Sequence, residues 1–239
     1  MITGMLASVA NLAEARLAAA GGADIVDLKN PVAGALGALP IADVATIVRV
    51  LGGMRPISAT VGDLPMAPGV VAPAIAAMAA TGVDYVKLGF FPGGDWPGVT
   101  DSLRPLALSG IRLIGVFFAD QPLERHWLDR LADAGFTGAM LDTADKQRGS
   151  LTRLRDLDFL RDFVDASRSL GLLCGLAGSL RAEDIETLLP MGADYLGFRG
   201  ALCGGRRTDA LDAAAFSALR DRLRPAFRVP FEDLPCSID

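Results

Sequence analysis

Lysine is nearly missing from this 239-residue chain: of 23 basic residues only three, Lys29, Lys87 and Lys146, are lysines, and the rest are arginines. Histidine occurs once, at His126, which excludes a multi-histidine metal site. The cysteines, Cys174, Cys203 and Cys236, are odd in number and far apart, so neither a disulfide framework nor a cysteine-rich zinc site is signalled. The arginines are scattered and the net charge is -5, so the basic stripe that nucleic-acid binding requires is lacking. Residues 1–8 have no positive segment before their apolar run, which Asn11, Glu14 and Arg16 soon interrupt, so no secretory signal is read. Residues 64–83 carry no charge, but Pro65, Pro68, Pro73 and many alanines make them a helix entered through a proline-rich loop, not a membrane span. The expectation is a cytoplasmic protein with neither nucleic acid nor membrane as a partner; a homo-oligomer is compatible with the sequence and not demanded by it.

What the chain does have is apolar content, 51%, against 21% charged residues, enough for one sizeable core. Short β-branched or apolar runs, near 3–8, 23–29, 56–61, 84–89, 111–118, 137–142, 172–177 and 194–199, alternate with helical patterns near 10–21, 41–52, 70–81, 100–109, 123–134, 152–170, 181–190 and 209–224. A local echo supports the phase. Gly22-Ala23-Asp24-Ile25, Gly82-Val83-Asp84-Tyr85, Gly135-Phe136-Thr137-Gly138 and Gly192-Ala193-Asp194-Tyr195 each stand where a helix gives way to a strand. Eight βα units in this length predict a single-domain (β/α)8 TIM barrel over residues 1–224, followed by a proline-containing tail, 225–239. An open doubly wound sheet is the alternative, but Ser8-Val9-Ala10-Asn11 follows the first strand where a glycine-rich dinucleotide turn would stand.

In such a barrel the chemistry sits at the C-terminal ends of the strands. Alternation along residues 24–29 puts Ile25, Asp27 and Lys29 on the inner face and the apolar Val26 and Leu28 on the outer one. The same phase in residues 84–89 turns Lys87 inward, and the sixth strand sets Met140 beside Asp142, with Lys146 in the loop beyond. All three lysines therefore converge on one mouth. Arginine replaces lysine readily as a surface charge, but not where an amine must shed its proton and attack a carbonyl. The pattern points to Schiff-base chemistry, with neighbouring cations depressing the pKa of one amine and with Asp27 and Asp142 offsetting charge or moving protons. Ordinary ion pairing is the bland alternative.

The seventh and eighth strands end in Leu176-Ala177-Gly178-Ser179-Leu180 and Phe198-Arg199-Gly200-Ala201, at the usual phosphate position of the fold. Gly178, Ser179, Arg199 and Gly200 are the candidate phosphate ligands, with Ser179 expected to cap the next helix. His126 reads as a surface or packing residue, Cys174 as a buried apolar one and Cys203 as close to the mouth without a histidine to pair with. Asp63, Asp95 and Asp120 read as turn or capping residues. No metal and no organic cofactor are expected.

The segments 21–31 with Gly34-Ala35-Leu36-Gly37, then Tyr85-Val86-Lys87-Leu88-Gly89, Leu141-Asp142-Thr143-Ala144-Asp145-Lys146, Leu176-Ala177-Gly178-Ser179-Leu180 and Phe198-Arg199-Gly200-Ala201-Leu202-Cys203 together resemble the (5-formylfuran-3-yl)methyl phosphate synthase family of methanofuran biosynthesis. The likeness runs from about residue 2 to 224. It implies a lyase that condenses two glyceraldehyde 3-phosphate molecules into a phosphorylated furan aldehyde with loss of phosphate and water. It further implies that Lys29 is the Schiff-base lysine and Asp27 its neighbouring acid, that Lys87 is a second lysine, and that Asp142 and Lys146 form an acid and lysine pair. A class I aldolase acting on triose phosphates is the nearest alternative, and a non-catalytic phosphosugar-binding or scaffold subunit is the alternative of another class. An orotidine-phosphate-decarboxylase-like site is disfavoured, since Val32 stands where the acid three residues after the lysine would be.

Overall fold

A computed structural model describes residues 3–223; the tail expected from residue 225 and Cys236 lie outside them. Eight parallel strands close in sequential order into a barrel: β1 (Gly4–Val9), β2 (Ile25–Leu28), β3 (Ile57–Thr60), β4 (Tyr85–Gly89), β5 (Leu113–Phe118), β6 (Gly138–Asp142), β7 (Leu173–Leu176) and β8 (Tyr195–Phe198). Around them run α1 (Leu12–Gly21), α2 (Ile41–Leu51), α3 (Pro68–Ala79), α4 (Trp96–Leu108), α5 (His126–Asp133), α6 (Leu151–Leu154), α7 (Leu157–Ser169), α8 (Asp184–Leu188) and α9 (Ala213–Leu223). No helix among the described residues is long and apolar enough to cross a membrane.

A closed parallel sheet buries both of its faces, and the core accordingly divides in two. Leu6, Ile25, Val116, Phe118, Met140 and Ala177 fill the barrel. Val26, Leu28, Val86, Leu88, Leu141 and Leu176 pack outward against the helices. The inward and outward sets alternate as expected on β2, β4 and β6. They leave the inner positions nearest the C-terminal end to Asp27, Lys87 and Asp142.

The opposite end of the barrel is stapled by the glycine-aspartate echo. Gly22, Gly82, Gly135 and Gly192 all have positive φ and end the preceding helix or turn. Asp24 then accepts from the Met5 N–H at 2.7 Å, Asp84 from Ile57 at 2.8 Å and Asp194 from Cys174 at 2.7 Å. The three aspartate N–H groups donate back to the carbonyls of the same three residues. Three of the four even strands, β2, β4 and β8, thus grip the start of the odd strand before them by a reciprocal pair that includes a charge-assisted bond. Thr137 takes the fourth place, where its N–H bonds the Leu113 carbonyl but no carboxylate closes the pair.

Several helix boundaries depart from the sequence reading; α4, for one, begins at Trp96, four residues before its expected start, with Asp95 accepting from the Gly98 N–H as its cap. The helix expected over 152–170 is two, because Arg155 adopts extended backbone and donates through Nε and Nη2 to the carbonyls of Ala119 and Gln121, after which Asp156 caps α7 by accepting from the Phe159 N–H. The helix expected over 181–190 shortens to α8 plus one 3-10 turn over 189–191, and Asp184 satisfies the Arg181 N–H. The last helix begins at Ala213, since Leu211 bridges to Cys203 and Asp212 caps α9 by accepting from the Ala215 N–H.

Candidate active site

A cavity of about 660 Å³ opens at the C-terminal end of the strands. At its floor Asp27 is fully buried. One carboxylate oxygen accepts from Lys87 Nζ at 3.0 Å and from Ser58 Oγ at 2.6 Å, and the other accepts from Ser8 Oγ at 2.9 Å. Burial pushes this carboxyl up, but Lys87 and Lys29 outweigh it and hold Asp27 below its ordinary value. Asp27 is therefore an anchored anion beside Lys87, with all its nearest donors supplied by β1, β3 and β4.

Nearer the rim, two lysines share one carboxylate. Asp142 Oδ2 accepts from Lys29 Nζ at 3.2 Å, and Oδ1 accepts from Lys146 Nζ at 2.5 Å and from the Thr143 N–H at 2.7 Å. Lys146 also donates to the Thr143 carbonyl and to Thr143 Oγ1. The burial that raises Asp142 is again outweighed, here by Lys146 and Lys29, and the carboxyl lies well below the usual range. Burial lowers Lys146 to about 8, with Lys29 pushing the same way and Asp142 opposing them. Two ammonium groups against one carboxylate leave an excess positive charge, so one amine sheds its proton more readily than a free lysine does.

The third part of the mouth is backbone. Gly178 has φ 111°, and a Cβ there would meet Thr143 Cγ2 at 2.7 Å, so only glycine fits. Ser179 follows with φ 50°. The N–H groups of Gly178, Ser179, Leu180, Gly200 and Ala201, all cavity-lining residues, donate to no acceptor among the described residues. Such a cluster of unpaired N–H groups suits an anion. Ser179 is not the helix cap the sequence suggested: α8 starts at Asp184 with no side-chain cap, and the left-handed backbone at Ser179 turns the chain along the cavity instead.

Arg199 also differs from its sequence reading. Nε donates to the Arg207 carbonyl, Nη1 to Glu14 and the Ser8 carbonyl, and Nη2 to Glu14 and the Asp209 carbonyl. A guanidinium has five N–H donors, and all are taken. Arg199 therefore organises the mouth from behind and has no donor left for a ligand. Arg207 and Arg181 line the same cavity. Ser8 and Ser58 were within reach of the sequence pattern, as polar residues at or near strand ends; Arg207, in an irregular glycine-rich loop, was not.

The lesser candidates resolve simply. His126 is exposed, 3.4 Å from Glu124. Cys174 is buried and its thiol is pushed up to about 12 by that burial, while Cys203 donates to the Arg199 carbonyl. Asp63 accepts from the Ala35 and Leu36 N–H groups, Asp95 from Gly98, and Asp120 from Ala144 and Asp145.

A family model described as 4-HFC-P synthase matches residues 5–220, which include every residue of this mouth. The chain belongs to the 4-HFC-P synthase family. Members of this enzyme family are similar along nearly their whole length. A Methylorubrum extorquens protein that bears the name (5-formylfuran-3-yl)methyl phosphate synthase provisionally is 42% identical over 221 residues, 92% of this chain and 91% of that one. The (5-formylfuran-3-yl)methyl phosphate synthase of Methanocaldococcus jannaschii is 34% identical over 234 residues, 91% of this chain and 98% of that one. Among solved structures, 3-keto-L-gulonate-6-phosphate decarboxylase from Vibrio cholerae superposes with a TM-score of 0.66 at 15% identity, covering 93% of this chain and 99% of that one. At that identity the likeness speaks for the barrel alone.

Proposed function

We propose that this 4-HFC-P synthase family member condenses two glyceraldehyde 3-phosphate molecules, in the cytoplasm, to (5-formylfuran-3-yl)methyl phosphate, with phosphate and water as the other products. The observation that carries the reading is the pair Lys29 and Lys146 on the single buried carboxylate of Asp142, in the cavity that also holds the unpaired N–H groups. In this reading Lys29 Nζ attacks the aldehyde carbon of one triose phosphate. The carbinolamine loses its hydroxyl as water and leaves a protonated imine. That cation draws electrons from the adjacent carbon, whose proton a neighbouring amine removes, and the resulting enamine expels the phosphate on the third carbon. The three-carbon enol left on Lys29 adds through that carbon to the carbonyl of the second molecule in its ketone form, after which ring closure loses two waters and imine hydrolysis frees Lys29. Lys146, lowered to about 8, suits proton transfer near neutral pH. Asp27 and Asp142, both held ionised, act by charge, keeping Lys87 and Lys29 in place.

Borohydride reduction in the presence of glyceraldehyde 3-phosphate, followed by peptide mass spectrometry, is expected to place an adduct on Lys29. Lys29→Arg should abolish it and reduce turnover by about a thousandfold or more. An adduct on another lysine reassigns the nucleophile, and none on any lysine removes the Schiff base. The product decides between this reaction and a simple aldol: a conjugated furan aldehyde absorbs in the near ultraviolet, and an aldol does not.

A further inference from the structure

With Arg199 fully occupied, the question is which cation meets a phosphate at the β7 and β8 ends. From the geometry we propose that Arg207 recognises the substrate phosphate, positioned for that task by Arg199. This deepens the reading above and rests on it for the substrate class.

Three observations converge. Arg207 lies beside the Gly200 backbone, where a Cβ built on Gly200 would lie 3.8 Å from Arg207 Cβ, and it lines the same cavity as the unpaired N–H groups. Its Nη2 donates to the Pro31 and Gly34 carbonyls, the first at 2.5 Å and the second at 3.0 Å. Nε–H and both Nη1 hydrogens have no acceptor among the described residues. A guanidinium with donors in hand beside backbone N–H groups matches a phosphate dianion, which takes several bonds at once.

The placement of Arg207 is itself built. Glu14 holds Arg199, and it also accepts from the Leu211 N–H, while Arg199 fixes the Arg207 and Asp209 carbonyls. The loop over 203–212 is thereby held at Arg207, Asp209 and Leu211, and its one inward arginine clasps the segment that begins two residues after Lys29. Phosphate recognition and the seating of the lysine-bearing loop meet in one side chain. Arg199 acts through Arg207 and is a positioning residue.

Inorganic phosphate is the probe, because its binding does not depend on the chemistry. Calorimetry should show that Arg207→Ala weakens phosphate binding by about tenfold to a hundredfold relative to the parent protein. In steady state the same variant should raise KM for glyceraldehyde 3-phosphate by a similar factor, and added guanidinium ion should recover part of the loss. Arg199→Lys, which keeps charge but loses the fork, should weaken phosphate less than Arg207→Ala does and should not respond to guanidinium. Phosphate binding unchanged in Arg207→Ala, or none by the parent protein, overturns the proposal; a matched melting temperature confirms that the variant is folded. If phosphate binding falls as expected while borohydride traps nothing on any lysine, the Arg207 assignment stands and the Schiff-base reading fails.

Discussion

Lys29 and Lys146 draw on one carboxylate, and the charge state of Lys146 is set by burial, by Asp142 and by Lys29 together. Because Lys146 sits at about 8, kcat/KM is expected to climb as pH rises through that value and to level off above it. Asp142 is the group that holds the proton on Lys146 against burial. In Asp142→Asn the rising limb should therefore move to lower pH, by about one unit or more, and the plateau rate should fall. A limb that stays in place in the variant assigns it to another group. The inward placement of Asp27, Lys87 and Asp142 was legible because a strand has a strict period of two and their neighbours are apolar. The roles of Arg199 and Arg207 were not legible, since which of two arginines keeps free donors depends on Glu14, 185 residues away in the chain.

Among the elements, the strands were legible and several helix ends were not, for a common reason. The strand starts coincide with glycine stops and with Asp24, Asp84 and Asp194, which are local signals. The break at Arg155 and the late start of α9 come from bonds to the distant carbonyls of Ala119 and Gln121 and from the Cys203–Leu211 bridge. The staples give an element-level prediction. Asp84→Ala removes a charge-assisted bond to the Ile57 N–H and should cost about 1–3 kcal/mol. Thr137→Asp supplies the carboxylate missing from the fourth place and should add about 0.5–1.5 kcal/mol. Both changes lie at the end of the barrel away from the lysines, so kcat should be unaltered. Thermal melts with parallel assays check this, and a Thr137→Asp variant that melts below the parent refutes the staple account.

At the scale of the whole molecule, the net charge of -5 conceals a mouth lined by three lysines, three arginines and two carboxylates. Its linkage to stability has two signs. Asp27 and Asp142 are lowered in the folded state, so the unfolded chain takes up protons first as pH falls, and the stability they contribute above about 4 is lost as pH drops through their folded values. Lys146 is lowered too, so between about 8 and 10.5 the unfolded chain holds a proton that the folded one has shed, and stability gains slightly as pH rises through that window. Melting temperatures should therefore fall steeply below about pH 4 and should not fall between about pH 8 and 10 on account of Lys146. Replacing Asp142 by Asn should flatten part of the acid slope. An acid slope identical in that variant would place the titrating groups elsewhere.

The scarcity of lysine has a practical corollary. The side chains of Lys29, Lys87 and Lys146 are only 10%, 3% and 15% exposed, and all three lie at the mouth. Apart from the α-amino group, an amine-selective reagent finds no lysine elsewhere among the described residues. Reductive methylation with isotope-labelled formaldehyde would thus write all of its lysine signals into the site, making the chain its own reporter of ligand arrival without a single engineered tag.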